Sequence, residues 1–120
     1  MTQVSHRGRE LLIDGESIEL EYVVLDAFEL DGRVIVLLDP EAYLQDPDYG
    51  KERRRGDGAL RNLCAMSMSG ELLWEAEFPE AADYYYKIVG RHPLTALSFS
   101  SFRCVIDAST GRIARKDFYK

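Results

Sequence analysis

Glu75 and Glu77 stand two positions apart in a strand-like run, and residues i and i+2 of an extended chain share one face. A carboxylate pair held that way could divide acid and base work if a pocket desolvated one member. Left in water, it is a plain charged strand face or a patch for a basic partner. The other chemistry-bearing types are sparse. Histidine occurs only as His6, near the start, and as His92, before Pro93. There is no HxH, HExxH or CxxC spacing, so no metal site is expected. A thiol nucleophile would need Cys64 or Cys104 beside His92, and nothing local brings them together. Both cysteines fall in apolar strand-like runs and read as small reduced core residues, with a disulfide between the two hairpins as the other possibility. Ser98, Ser100 and Ser101 lack a GxSxG elbow. The chain is therefore expected to be non-enzymatic, with no catalytic residues, no cofactor and no metal.

Binding residues are easier to nominate. Tyr84, Tyr85 and Tyr86 run consecutively, and alternation sends Tyr85 to the face opposite its neighbours. One large aromatic is then expected at the surface beside Glu75 and Glu77, where tyrosine serves well as an interface anchor. The expected partner-binding set is Glu75, Glu77, Asp83 and Tyr85, with Tyr49 and Arg54 on a long loop as outlying members. Arg54 sits in an Arg53–Arg55 run that could meet an acidic surface or simply be solvated.

These residues need a scaffold, and the scaffold is built around residues 62–78. Two short apolar runs meet there at Ser69-Gly70, a pair suited to a two-residue hairpin turn. Beyond it, Leu72, Trp74, Ala76 and Phe78 alternate with Glu75 and Glu77, so the apolar set is expected inside and the glutamates outside. Residues 1–9 show no period and are expected to fray. Residues 10–13 open the first strand, Asp14-Gly15 turns, and residues 17–24 alternate with Ile18, Leu20, Tyr22 and Val24 inward. Residues 25–30 and 33–38 flank Asp31-Gly32, a favoured type I′ pair. RVIVLL (33–38) is the most β-branched stretch and is expected to be a central strand. Residues 40–61 form a long loop, with one helical turn possible over 41–45. Strands follow over 84–89, 94–99, 102–106 and 112–119. The last is polar enough for a sheet edge, and Asp107 is placed to bond its own downstream backbone.

The result is one all-β domain over residues 1–120. It is an antiparallel meander of about nine short strands making a curved sheet, a sandwich or an open barrel. At 120 residues with 46% hydrophobic and 30% charged residues, such a domain buries a core without staples. No apolar run approaches the roughly 20 residues that cross a bilayer, and the start lacks the long apolar stretch of a signal peptide, so a cytoplasmic location is expected. The net charge of −6 is unevenly spread: residues 1–50 carry twelve carboxylates against three arginines, while residues 91–120 are net basic. That balance disfavours direct nucleic-acid or membrane binding and suits a cationic protein.

Two resemblances bear on function. Residues 24–38, 63–78 and 103–118 share a strand, small polar residue, Gly, strand rhythm. The last two resemble the half-blade of quinoprotein-type β-propellers, where Ala-x-Asp-x-x-Thr-Gly-x-x-x-Trp recurs. Ala65, Gly70 and Trp74 match one copy, and Asp107 with Thr110-Gly111 matches the other. The first copy is one residue short with Ser67 at the Asp place, and Arg115 takes the Trp place in the second. The chain has room for two blades where a propeller needs at least four, so the cofactor binding of that family does not carry over.

GELLWEAEFP (70–79), the tyrosine run and the closing Asp107-x-x-Thr110-Gly111 hairpin also resemble small bacterial β-proteins among the immunity partners of polymorphic toxins, over residues 62–118. That resemblance implies an inhibitor that occludes a toxin's active site, with the acidic charge suited to a basic toxin such as a nuclease. A small-ligand binder or enzyme using the carboxylates in a barrel mouth, and an oligomeric structural module, are the alternatives.

Overall fold

The stretch RVIVLL is apolar at every position after Arg33 rather than at every second one, the mark of a strand covered on both faces. In the computed structural model of the protein, which describes residues 3–20, 22–41, 61–80 and 83–119, it is such a strand. Ile35 and Leu37 point into one core, and Val34, Val36 and Leu38 point into another.

The described residues form eleven strands, all paired antiparallel, in three sheets. The first sheet holds β1 (Val4–Arg7), β2 (Glu10–Ile13) and β3 (Glu16–Glu19). The second holds β4 (Val24–Leu30), β5 (Arg33–Leu38), β6 (Leu63–Met66) and β7 (Leu72–Glu75), in that order. The third holds β8 (Tyr85–Arg91), β9 (Leu94–Ser98), β10 (Phe102–Ile106) and β11 (Ile113–Phe118), again in chain order. The second sheet lies in the middle. One core packs its Phe28, Leu30, Ile35, Leu37, Leu63, Ala65, Trp74 and Ala76 against Tyr85, Leu94, Ala96, Cys104 and Ile106 of the third sheet. The other packs Val24, Ala27, Val34, Val36, Leu38 and Cys64 against Leu11 and Ile13 of the first. The architecture is a layered stack of open sheets, and the barrel among the expected forms does not occur.

Several expectations change. The segment expected to fray supplies β1, which pairs with β2 from Val4↔Ile13 to Arg7↔Glu10. Its polar sequence hid it, because β1 is an exposed edge whose order comes from backbone pairing. The alternating run 17–24 is divided: β3 ends at Glu19 and Val24 begins β4, so the chain changes sheets inside one alternating pattern. With β1 added, the strands number eleven against about nine expected. Asp14-Gly15 and Asp31-Gly32 have positive φ at both residues, as type I′ hairpins require.

Ser69-Gly70 differs. Only Gly70 has positive φ, and its N–H donates to Ser67 O at 3.0 Å, so the turn is wider than two residues. The pairing of β6 with β7 then slips by one residue, Ala65↔Trp74 being followed by Met66↔Leu72, and Leu73 is left as a bulge.

Candidate functional site

The expected contact residues divide between the interior and the surface. Asp83 and Tyr85 are buried, so neither offers a surface to a partner, and the expectation of an exposed Tyr85 is corrected. Alternation holds along the tyrosine run with the opposite sign: Tyr85 turns in, and Tyr86 is the one exposed. The Tyr85 hydroxyl donates to Glu77 O at 2.6 Å, and its ring stacks on Phe78 with centroids 5.0 Å apart. Burial pushes that hydroxyl far above the ordinary tyrosine range, with Cys104, Asp83 and Glu77 adding to the effect. Burial likewise raises the Cys104 thiol, against the opposing effect of its hydrogen bond with Tyr85.

Asp83 is a tie between strands. Its carboxylate accepts from Tyr84 N at 2.8 Å, from Ser100 N at 3.2 Å and from the Ser100 hydroxyl, pinning the β9–β10 turn to the start of β8. Tyr49 and Arg54 lie outside the described residues.

Glu77 is exposed but committed. Its N–H donates to Gly111 O at 2.9 Å, and its Oε1 accepts from Ile113 N at 2.9 Å, lacing the end of the second sheet to the third. Just upstream, the Trp74 indole lies against Gly111 and donates from Nε1 to Ala108 O at 3.0 Å. The two segments with the shared Gly-turn rhythm are thus docked on each other. Asp107 holds the receiving turn as expected, its Oδ1 accepting from Ser109 N at 2.9 Å and Ser109 Oγ at 2.6 Å. These bonds hold the Asp107 carboxyl below its ordinary range. Asn62 was not nominated from sequence, yet it is fully buried and makes a comparable tie. Its Nδ2 donates to Leu38 O at 2.9 Å and Tyr85 O at 2.6 Å, and its Oδ1 accepts from Tyr85 N at 3.1 Å.

Glu75 is placed elsewhere, on the outer face of the central sheet. The first sheet does not cover all of that face, and beside β3 a cleft of about 290 Å³ remains. Leu20, Val36, Leu38, Cys64, Met66 and Leu72 supply its apolar wall, and Glu19, Arg61 and Glu75 its charged groups. The β6–β7 turn approaches β3 closely, since a Cβ on Gly70 would stand 2.6 Å from Ile18 Cδ1. The structure therefore separates Glu75, at the cleft, from Glu77, in the latch, and gives them different neighbours. Cys64 forms part of the cleft, and Cys104 lies in the opposite core. No disulfide joins the hairpins.

The bulge at Leu73 shapes the adjoining surface. Leu72, expected inside with Trp74, is 56% exposed, and Leu73 is 48% exposed. They form an apolar pair on β7, an edge strand of the central sheet, between Glu71 and Glu75. The signal was present in the sequence: two adjacent leucines cannot both obey a period of two.

Charge separates by layer. The segment from β1 to Glu41 has ten carboxylates against three arginines, and residues 62–80 add four carboxylates and no cation. The third sheet, residues 85–118, has six cations against two carboxylates. Among the described residues no group of three or more metal-ligating side chains is gathered.

No curated protein and no solved structure matches the chain. A family model, described as Domain of unknown function (DUF7957), matches residues 1–118, nearly the whole chain, and the protein belongs to that family.

Proposed function

We propose that the protein is a non-enzymatic, cytoplasmic binding module for a basic protein, and that it acts as an immunity protein, occluding the active site of a basic toxin. The observation that carries this reading is the solvent-facing Leu72-Leu73 pair on the edge strand β7, flanked by Glu71 and Glu75. Natural sheets blunt their free edges with charge, proline or short strands, so two leucines turned to water by a bulge mark an edge kept for contact. An apolar centre with a charged rim is the usual anatomy of a protein interface. The acidic carboxylates of the first two sheets would steer a basic partner toward this edge and away from the cationic third sheet. The resemblance of residues 62–118 to toxin-immunity proteins supports the same partner class.

The test is binding to the product of the neighbouring reading frame, measured by calorimetry with the intact chain. Leu72→Ser with Leu73→Ser is expected to weaken the complex by about a hundredfold, the loss of two interface leucines at about 1–2 kcal/mol each. Because both side chains are half exposed, the double variant should stay within about 1 kcal/mol of the parent in folding stability. Unchanged affinity would refute the edge as the contact surface. Concentration-dependent sedimentation of the protein alone, abolished by the same substitutions, would reassign the edge to self-association.

A further inference from the structure

The outer face of the third sheet carries the opposite charge to the rest of the molecule. Cross-strand partners share a face, so the register sorts its side chains. Ile88, Ala96 and Cys104 pair across β8, β9 and β10 on the side of the core. One step along, Lys87, Leu97, Arg103 and Asp117 form a row on the other side, and Thr95, Val105 and Arg115 form the next. Lys87, Arg103, Arg115 and Asp117 are all exposed. Three cations thus face one carboxylate, and Asp117 is held by Arg115 at 2.9 Å. Among the described residues Lys87 and Arg103 have no carboxylate partner.

Two tyrosines lie across one end of the same face. Tyr86 is the extra residue where the β8–β9 register steps from Tyr85↔Ser98 to Lys87↔Leu97. Tyr119 follows β11, its N–H donating to Ser101 O at 3.0 Å. The two hydroxyls hydrogen-bond to each other, although β8 and β11 are opposite edges of the sheet, three strand spacings or about 14 Å apart. They can meet only if both side chains run over β9 and β10 instead of standing off the sheet. Tyr86 is 39% exposed, so its ring surface is open to a ligand. The bond to Tyr86 raises the Tyr119 hydroxyl above its ordinary range, and nearby Arg103 opposes the shift. Arg103 also borders a hollow of about 360 Å³ whose sides include Val89, His92, Thr95 and Leu97.

We infer that this face binds single-stranded nucleic acid, with bases against Tyr86, Tyr119 and the hollow and phosphates at Lys87 and Arg103. Single-strand binders combine aromatic rings, which every base can stack on, with cations that follow the backbone. An acidic polypeptide would meet the same cations but leave the tyrosines unused. A second copy of the chain offers no complementary face on its first sheet, where Glu10 and Glu19 are already met by Arg7 at 3.5 Å and Arg9 at 2.9 Å. The net charge of −6 weighs against a polyanion only when charge is averaged over the chain. The first sheet lies two layers away, about 20 Å. Screening acts over about 8 Å at physiological salt, so its carboxylates scarcely reach a strand on this face. The nucleic acid is additional to the basic protein proposed above and uses a different sheet.

The experiment is fluorescence anisotropy of labelled oligothymidylate and oligouridylate of about 12 nucleotides, within the usual single-strand site sizes, titrated with the intact chain at about 50 mM salt. Saturable, salt-sensitive binding is expected, with the tighter of the two telling DNA from RNA. Lys87→Gln with Arg103→Gln should weaken it tenfold or more. The same pair should lower the slope of log affinity on log salt by about 1.4, two single-strand phosphate contacts at about 0.7 each. Tyr86→Leu should weaken binding about tenfold with the slope unchanged, and Tyr86→Phe should keep most of the affinity. Native Trp74 emission shows that each variant is folded.

Absence of saturable binding by both oligonucleotides, or an unaltered salt slope in the double variant, would overturn the proposal. So would equal binding of polyglutamate of the same length, which would assign the face to an acidic polypeptide, or of a duplex, whose paired bases cannot stack on the tyrosines. Leu72→Ser with Leu73→Ser should leave oligonucleotide affinity unchanged, so this test and the test of the β7 edge fail independently.

Discussion

Gly111 is where the third sheet meets Trp74, the only tryptophan of the chain. It adopts φ = +77°, and a Cβ built on it would lie 2.6 Å from Cε3 and 2.7 Å from Cδ2 of Trp74. Real Cβ atoms do not come so close, and the indole cannot simply swing away because its Nε1 is bonded to Ala108 O. Gly111→Ala therefore combines two penalties. Placing an L-residue in the left-handed region costs about 1–2 kcal/mol. Forcing a methyl into a packed ring adds about 1–3 kcal/mol, as overpacking does elsewhere. The expected loss is about 2–5 kcal/mol, a large share of the roughly 5–15 kcal/mol that keeps a domain folded.

Gly15→Ala separates the two contributions, since Gly15 has φ = +85° but nothing within 4 Å of its would-be Cβ. It should cost only the backbone share, about 1–2 kcal/mol. Urea unfolding followed by Trp74 emission gives both numbers, and the emission of the folded Gly111→Ala protein should itself change as the indole is displaced. If the two substitutions cost the same within about 0.5 kcal/mol, the indole is not seated on Gly111 and the docking of the two hairpins is wrong.

Two further outcomes follow from the buried polar groups. Asn62→Ala removes three hydrogen bonds and leaves the Tyr85 amide and carbonyl buried without their partner, an expected loss of about 3 kcal/mol or more, with early loss of exchange protection at the Tyr85 amide. At alkaline pH the folded chain holds protons on Tyr85 and Cys104 that the unfolded chain releases near the ordinary values of 10.0 and 9.0. Their contribution is thus fully present below about pH 9 and is lost as pH rises, with Tyr85 supplying a slope of up to about 1.4 kcal/mol per pH unit above 10. Urea midpoints from about pH 8 to 11 should fall accordingly, and Tyr85→Phe should flatten the fall; a flat profile in the parent would show that the hydroxyl is solvated.

Much of this fold was legible because local and global preferences agree. Asp14-Gly15 and Asp31-Gly32 give the dipeptides that type I′ turns demand, and the turns formed. RVIVLL announces a strand covered twice, and β5 lies between β4 and β6 with cores on both faces. The edge assignment of residues 112–119 follows from their charge. What failed to show is pairing that depends on distant partners. β1 is polar and ordered by β2, and the passage from the first sheet to the second keeps a period of two straight through the junction.

The site was legible in part. Glu75 lies at a cleft, but period alone cannot say which of two faces a tyrosine will take, and Tyr85 went to the core. Asp83 and Asn62 look like loop residues in sequence, since nothing local reveals that Ser100 or Tyr85 will arrive from across the sheet to satisfy them.

The outward turn of Leu72 has the same origin, in contacts that come from other sheets. In an unbulged hairpin Leu72, Trp74 and Ala76 would share the inner face, and Leu73 would be the one leucine turned outward, among Glu71, Glu75 and Glu77. The wider turn at residues 67–70 and the slip between Ala65 and Met66 rotate Leu72 outward while Trp74 keeps its seat against Gly111. The indole is fixed by its bond to Ala108, and the turn is fixed by Gly70 against Ile18. The extra residue has nowhere to go except into a bulge between two anchored points. The exposed leucine edge is thus a consequence of the central sheet being held to the third sheet at one end of β7 and to the first at the other. Both anchors serve folding, and the bulge between them is what leaves Leu72 and Leu73 exposed on β7.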